Sequence, residues 1–418
     1  EQVKVLLAPG GLWPEPAGVP LAGSGRGLAP DHVAACLARG WWAVRPRDAL
    51  TLLPMADGGP GSAQVIAPEQ VASREVIQGQ GPLGQVREVD LVRLVPMPSR
   101  SGNRHRGEAS TWFLDAARLL ALPADPDEAA QEALEGSTHG LGGVVGAALS
   151  RTGPSDTLLV GMSRSAVHDG GLGVMDALGG ARAAKDLLSQ RSLGLVLADD
   201  IALGGMNGAG AALASVTSIS PERAQELDRR ACTRAMEGVR AAEDLDPDAV
   251  GAHRSLPVVS ALDDVGPSAS AHAVDSAGTA RLNVSTWGTG AGGGSALALR
   301  ALGAWARPGA RVMAEILTLS DAVCGQDLVV AAWGELYDVL ADSVVGVVGQ
   351  RAASQALPGI LVCGRCAVTR GELAAAGVTN AYGLQEAHAT EPWDATDSHR
   401  LESRLTDLGT RLARTWSR

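Results

Sequence analysis

A short apolar segment, a glycine-rich turn and an Ala/Leu-rich helix follow one another repeatedly along this chain. The apolar segments include Thr157–Gly161, Asp327–Val330 and Pro358–Val362. This alternation predicts mainly parallel β-sheets that are covered by helices. Ligands of such sheets bind beyond the carboxyl ends of the strands, where the glycine-rich turns are expected. We therefore expect an α/β protein whose functional groups lie in these turns.

Two of the turns contain the tripeptide Asp-Gly-Gly, in the segments Leu53–Gly61 and Val167–Gly173. Glycine allows positive φ angles and a close approach of the backbone to a ligand. A carboxylate beside exposed N–H groups can position a hydroxyl group, a metal ion or a phosphate, although Asp-Gly-Gly also occurs in ordinary turns. Asp57 and Asp169 are the candidate catalytic acids. His168 is a third candidate, with the alternative that it is a satisfied structural histidine.

Composition excludes several classes of protein. The net charge is −11, and no stripe of Lys or Arg stands out, which argues against nucleic-acid binding. No apolar run approaches the roughly 18 residues of a membrane helix. Five scattered cysteines favour a reducing compartment, so a cytoplasmic location is expected. Cys363 and Cys366 have the spacing of half a zinc site or of a redox pair, but no second pair accompanies them, and no metal site is predicted.

The glycine-rich turns and their spacing resemble those of a known family, the type I glycerate kinases. Pro54–Gly61 and Asp169–Gly171 resemble the family's two Asp-Gly-Gly motifs, and Ser137–Gly142 resembles the start of a helix between them. Gly288–Gly294 resembles the family's glycine loop, and the motifs occur in the family's order from Val3 to Ala376. The residues expected to remain from a phosphate-binding loop are Gly288, Gly290, Gly292 and Gly293.

The resemblance implies the glycerate kinase type I fold, with two α/β domains, parallel sheets flanked by helices and an interdomain cleft. The predicted first domain is discontinuous and comprises residues 1–76 and 286–418, and the second comprises residues 77–285. Residues 96–107 are predicted to form a loop or hairpin, residues 261–278 a linker, and Asp397–Trp416 a docked terminal helix.

Several positions depart from the family's pattern. Gly10-Gly11 stands where the family has an acid after the first strand, and Ser163–Ser165 replaces Gly-Gly-Ser. Trp333 and Tyr337 stand at the Glu and Asp positions of the motif Gly-Glu-Gly-x-x-Asp. Phosphoryl transfer depends on metal-binding acids and cationic groups, so these changes weaken the expectation of kinase activity.

Aromatic residues have entered the same turns. We expect Trp13, Trp287, Trp333 and Tyr337 to bind substrate in the cleft, because indole faces suit hydrophobic or cationic ligands. The alternative is that these tryptophans pack between the domains. Arg164 replaces a small glycine and is expected to bind a substrate carboxylate or phosphate, or else to form a salt bridge.

Three functions follow from these patterns. The first is a diverged enzyme without a cofactor, which carries out acid/base chemistry (cyclisation, isomerisation or dehydration) on a hydrophobic small molecule in bacterial specialised metabolism. The second is an ATP- and Mg²⁺-dependent kinase for glycerate or a related hydroxy acid, in which Glu335 or Asp338 replaces the missing acids. The third is a non-catalytic ligand-binding protein. In all three, the protein binds a small molecule, and all three are compatible with a homodimer.

Overall fold

A computed structural model describes residues 2–14, 27–96, 109–245, 282–385, 392–393 and 398–417. Residues 97–107 of the predicted loop and the whole predicted linker, residues 261–278, lie outside the described residues. The chain divides into two compact units. The first unit comprises Glu1–Asp57 and Ala310–Arg418, and the second comprises Gly58–Gly309.

The described residues form eleven strands and thirteen α-helices. The strands are β1 (Lys4–Pro9), β2 (Ala49–Leu52), β3 (Val71–Gln80), β4 (Val86–Leu94), β5 (Thr111–Leu114), β6 (Thr157–Met162), β7 (Ser192–Leu197), β8 (Trp305–Pro308), β9 (Leu328–Leu336), β10 (Gly359–Cys366) and β11 (Asn380–Gly383). The helices are α1 (Pro30–Val44), α2 (Pro126–Glu135), α3 (His139–Leu149), α4 (Leu172–Ala177), α5 (Gly180–Ser189), α6 (Ala209–Val216), α7 (Pro221–Glu243), α8 (Ser295–Ala301), α9 (Gly309–Ile316), α10 (Leu319–Val323), α11 (Val344–Ser354), α12 (Arg370–Ala375) and α13 (Ser398–Trp416). Among the described residues, none of these helices is both long enough and apolar enough to span a bilayer.

The first unit contains a five-stranded parallel sheet in the order β11-β10-β9-β1-β2. Its three central strands, β10, β9 and β1, are mostly buried and apolar, as expected for a parallel sheet that is covered on both faces, whereas the edge strands β2 and β11 are more exposed. Helix α13 packs against α1, and the leucines of α13 are buried in the core of this unit. The two helices approach closely at Gly40, where a Cβ atom would lie 1.9 Å from the carbonyl oxygen of Thr406. Glycine allows this approach because it has no side chain. The predicted terminal helix is therefore confirmed.

The second unit contains a six-stranded sheet in the order β3-β4-β5-β6-β7-β8. Strands β5 to β8 are parallel, whereas β3, β4 and β5 pair in antiparallel fashion. The α/β class and the mainly parallel sheets agree with the prediction, but the antiparallel β3–β4 hairpin was not predicted. Strand β3 is polar on its exposed face, so it lacks the apolar run that marked the other strands.

The boundaries of the two units differ from the predicted domain boundaries. The first crossing follows Asp57 instead of residue 76, because β3 pairs with β4 along its whole length and belongs to the second unit. The return occurs at Ala310 instead of residue 286, because β8 pairs with β7. The glycine loop Gly288–Gly294 consequently lies in the second unit.

Candidate active site

The first Asp-Gly-Gly turn lies at the carboxyl ends of β6 and β7. Gly58 has a φ angle of +91°, and a Cβ atom there would lie 2.7 Å from the carbonyl oxygen of Val196 in β7. A Cβ atom at Gly161 in β6 would meet the carbonyl oxygen of Gly58 at the same distance. The Ser62 hydroxyl accepts from the Gly58 N–H (3.0 Å) and donates to the Gly59 carbonyl (2.7 Å). The sequence folds into this turn because only glycine fits where backbones touch. Asp57, which is half-buried, precedes it.

Asp115, which was not predicted from the sequence, binds this turn. It follows β5 directly, and its Oδ2 atom accepts from the backbone N–H groups of Gly61 (3.0 Å) and Ala63 (3.2 Å). The residue is 0% exposed, and burial raises the pKa of its carboxyl group to about 7. Its Oδ1 atom is buried without a hydrogen-bond partner among the described residues. An acid immediately after the apolar run of β5 was the available signal.

The second Asp-Gly-Gly turn joins two helix starts. The carboxylate of Asp169 accepts from the Thr138 N–H and hydroxyl (both 2.9 Å), where α3 begins. It also accepts from the N–H groups of Gly171 (2.8 Å) and Gly173 (3.3 Å), where α4 begins. A carboxylate has about four lone-pair sites, so these donors use most of its capacity. Asp169 therefore has a structural task, and its predicted catalytic role stays a prediction.

The glycine loop packs directly on that second turn. The Gly170 N–H donates to the Gly293 carbonyl (3.0 Å), and a Cβ atom at Gly171 would lie 2.6 Å from the Gly294 carbonyl oxygen. Other amide groups of the loop are bonded to backbone carbonyls, with donor–acceptor distances of 2.8 to 3.0 Å. These bonds are Gly288 to Asp200, Gly290 to Ile201 and Gly292 to Ser163. Three of the four amides predicted to contact phosphate thus have protein acceptors in this conformation.

His168 is a buried, partnered side chain. Only 1% of its side chain is exposed, and its Nε2 atom lies 3.1 Å from Oδ1 of Asp228 in α7. The Cys232 thiol donates to the same oxygen at 3.4 Å. These contacts match the structural alternative that the sequence left open. The predicted acid/base role of His168 stays a prediction.

Arg164 lies at the edge of an open pocket in the second unit. Its Nε atom donates to Oδ2 of Asp199 at 2.6 Å, which is the salt bridge that the sequence offered as one alternative. The pocket has a volume of about 550 Å³ and is lined by Arg164 and by residues between Asp200 and Ala212, including Asn207. The sequence indicated Arg164 but not the 200–212 segment, whose local signal is another glycine-rich turn.

Two of the predicted aromatic residues lie at the carboxyl ends of β1 and β9 in the first unit. A Cβ atom at Gly10 would lie 2.6 Å from the Trp333 ring, and one at Gly11 would lie 2.1 Å from Nε1 of Trp13. Both tryptophans are half-buried. The change from an acid to Gly10-Gly11 therefore accompanies the two indoles, because a side chain at either glycine would overlap a ring.

Glu335, near the end of β9, is held by two aromatic donors. Its Oε1 atom accepts from Nε1 of Trp393 at 2.9 Å, and Tyr337 donates its hydroxyl to Oε2. Tyr337 is 48% exposed, and the Arg365 guanidinium lies 5.8 Å from its ring centroid. An acid thus remains in this segment, two residues from the position at which the family carries one.

Trp287 belongs to the second unit, where it is partly buried against the main core and accepts from Arg300 through its carbonyl group at 2.7 Å. The prediction that all four aromatic residues line one cleft stays a prediction. Among the described residues, no group of three or more His, Cys, Asp or Glu side chains has the arrangement of a metal site.

Comparisons with known proteins agree with this fold. The model of the glycerate kinase family matches residues 25–221 and 259–417. The chain is 27% identical over 368 residues to the uncharacterized protein Mb2228c of Mycobacterium bovis, covering 87% of this chain and 82% of that protein. It is 30% identical over 148 residues to a glycerate kinase of Halalkalibacterium halodurans, covering 35% of each.

The structure is similar to the crystal structure of a candidate glycerate kinase 2 from Salmonella typhimurium LT2, with a TM-score of 0.62 and 20% identity. The similarity covers 99% of this chain and 98% of that one, and it bears on the fold alone. The family model, in contrast, matches well over half of the 418 residues. This chain belongs to the glycerate kinase family.

Proposed function

We propose that this protein is an ATP-dependent kinase that phosphorylates glycerate or a related small hydroxy acid. Support comes from one observation above all: both Asp-Gly-Gly turns of the family are present at the carboxyl ends of strands or at helix starts, each with its hydrogen bonds intact. Functional sites of parallel sheets lie at such positions. The catalytic chemistry expected from the sequence on hydrophobic molecules has no comparable support from relatives.

The pocket beside Arg164 supports a small hydroxy acid as the substrate. Guanidinium groups bind carboxylates through paired hydrogen bonds, and Nε of Arg164 is already fixed by Asp199. Asp199 already pairs with the Arg164 guanidinium, and Asp200 adds a second negative charge at the same pocket, so the pocket disfavours a polyphosphate. A single carboxylate would bind through the Nη atoms of Arg164. Asn207 and Asp200 line the same pocket and provide polar atoms for the hydroxyl groups of a hydroxy acid.

Magnesium fits the donor set without a cluster of acids. Mg²⁺ in kinases is held by one or two protein carboxylates together with the nucleotide phosphates, so a single residue such as Asp57 suffices on the protein side. When bound, ATP with its metal ion supplies the phosphoryl group and neutralises the charge that develops during transfer. In this proposal Asp57 holds the metal or orients the substrate hydroxyl, and Arg164 holds the carboxylate. Since ATP is abundant in the cytoplasm, the predicted location goes with this function.

The test is ADP formation by the full chain with Mg-ATP and D-glycerate, L-glycerate or glycerol, which lacks the carboxylate. We expect activity with a glycerate and little with glycerol. Asp57→Asn should lower kcat by about 100-fold, the usual effect of losing one charge-stabilising group. Asp186→Asn removes an exposed carboxylate of α5 and serves as the matched control. Arg164→Ala should raise KM for glycerate, and Arg182→Ala, exposed on α5, should not. Absence of ADP formation with every hydroxy acid would refute the proposal.

A second candidate, binding or conversion of a hydrophobic ligand without phosphoryl transfer, rests on the half-buried indoles Trp13 and Trp333 at the end of the first sheet. A ligand that binds only the native state of the protein must raise the melting temperature of the protein. A rise with Mg-ATP favours the kinase. A rise with polycyclic aromatic compounds only, abolished by Trp333→Ala but retained in Trp42→Ala, favours this second candidate. Trp42 is a control on α1 that is 43% exposed.

A further inference from the structure

Asp115 is a buried carboxyl group that costs the fold more than an apolar residue would. It is fully buried, and its Oδ1 atom has no hydrogen-bond partner among the described residues. The charged groups that face it are Arg118 and Asp90, which pair with each other at 3.6 Å. A buried polar atom without a partner is unfavourable, and apolar replacements of such groups are often neutral or stabilising. The two hydrogen bonds at Oδ2 are therefore the evident benefit.

Those two bonds tie the Gly58–Ala63 turn to the end of β5. Gly61 has a φ angle of +89°, and its N–H group and that of Ala63 point to the same carboxylate oxygen. The bonds from Ser62 act within the turn. The turn also touches β6 and β7 at Gly58, and the Ala63 carbonyl accepts from Arg74 of β3 at 2.9 Å. Asp115 adds the contacts that hold the turn's N–H groups at the end of β5. A displacement of this turn would displace the backbone that carries Asp57.

We propose that Asp115 is a positioning residue, whose carboxyl group fixes the Gly58–Ala63 turn and thereby the backbone of Asp57 for phosphoryl transfer. The expected loss of kcat rests on the proposed function. The expected effect on the turn does not depend on that function. Misplacement of a reacting group by about 1 Å can cost about 100-fold in rate. Loss of Asp115 should therefore lower kcat and leave the KM for glycerate nearly unchanged, since the carboxylate is bound at Arg164.

Hydrogen exchange of the full chain, read at the Gly61 and Ala63 amides, tests the effect on the turn. We expect these amides to exchange at least about tenfold faster in Asp115→Ala, because local opening is easier without the acceptor. Asp115→Asn should restore protection, since its amide oxygen accepts the same two bonds. Asp156→Ala is the matched control. Asp156 also accepts two backbone N–H groups, from Ser110 (2.7 Å) and Gly153 (2.9 Å), but before β6 at the opposite end of the strands.

The kinetic arm uses the same variants with Mg-ATP and D-glycerate. Asp115→Ala should lower kcat by about 10- to 100-fold, Asp115→Asn should recover most of it, and Asp156→Ala should lose stability without a comparable loss of kcat. A purely structural role would instead lower stability in Asp115→Ala and Asp156→Ala alike and leave kcat of the folded protein intact, which would overturn the proposal. Unchanged exchange at Gly61 and Ala63 in folded Asp115→Ala would also overturn it.

Two further outcomes are informative. If the wild type phosphorylates no hydroxy acid, the proposed function fails, and the exchange rates still decide whether Asp115 fixes the turn. If Asp115→Ala does not fold, the wild type itself provides the measurement. The amide proton shifts of Gly61 and Ala63 should then follow one common titration, which is absent in Asp115→Asn, because both amides bond to one carboxyl group. Independent or absent titration of these amides in the wild type would refute the shared contact.

Discussion

The proton held by Asp115 should make the second unit less stable as the pH rises from about 4 to about 7. Burial, opposed by the N–H groups of Ala63 and Gly61 and by Arg118, raises its pKa from 3.8 to about 7. Between about pH 4 and pH 7 the folded state holds a proton that the unfolded chain has released. The contribution to stability is therefore complete below about pH 4 and is lost as the pH rises through about 7.

The size of the effect follows from the shift in pKa. One bound proton gives a slope of about −1.4 kcal/mol in the free energy of unfolding per pH unit. Across the interval from 3.8 to about 7 the loss is about 4 kcal/mol, which is a large share of the stability of one domain. Above about pH 7 both states are ionised, and the slope due to Asp115 disappears.

Urea unfolding of wild type and Asp115→Asn at a series of pH values measures this contribution. Every other titrating group is common to both proteins, so the difference between their free energies of unfolding isolates Asp115. We expect the stability of the Asp115→Asn variant, relative to wild type, to rise by about 1.4 kcal/mol for each pH unit between about pH 4 and pH 7. Curves that run parallel from about pH 4.5 to pH 7 would refute the reasoning, because they would mean that Asp115 is ionised in the folded state.

Asp156 supplies the contrast of opposite sign. Partial burial would raise its pKa, but hydrogen bonds from Ser110, Gly153 and the Trp112 indole outweigh burial and lower the pKa below the usual value for aspartate. The stability it contributes is present above the unfolded pKa and is lost as the pH falls. Asp156→Asn should therefore be less stable than wild type at neutral pH, with the difference shrinking in acid.

Two other perturbations have clear expected outcomes. Gly40→Ala should destabilise the first unit by about 1 to 3 kcal/mol, since its Cβ atom would overlap the Thr406 carbonyl, whereas Gly143→Ala, with open space around it in α3, should raise the melting temperature. A lower melting temperature in both would contradict this packing argument. Donation from the Cys363 thiol lowers the pKa of Cys366 to about 6, so iodoacetamide should alkylate Cys366 at neutral pH, and several-fold more slowly in Cys363→Ala. Peptide mass spectrometry reads the rates, and equal rates would contradict the interpretation.

The parts of the fold that local sequence predicts are those that local chemistry determines. Most of the parallel strands are apolar runs, and several are followed by glycine-rich turns, so the α/β class and both Asp-Gly-Gly turns could be predicted. The β3–β4 hairpin escaped because one of its faces is exposed and polar, and the unit boundary at Asp57 escaped with it.

The partners of the predicted site residues could not be read from sequence. His168 pairs with Asp228, 60 positions away, and Gly61 with Asp115, 54 positions away. Contacts of this kind depend on which strands and helices become neighbours in the folded protein, and local sequence does not determine that. The sequence indicated Arg164 as a departure from the family's pattern, but its partner in the salt bridge, Asp199, could be identified only from the fold.

The packing of the glycine turns explains how a family's motifs can persist while the residues around them change. At Gly58, Gly171 and Gly294 a Cβ atom would meet backbone atoms at 2.6 to 2.7 Å, so any side chain there would force two backbone segments apart. Stability alone is enough to keep these glycines, whatever reaction the protein performs. Residues without that constraint, such as Arg164 at an open pocket, are free to change with the substrate. The identity of the substrate is therefore better sought at Arg164 than in the glycines by which the family is recognised.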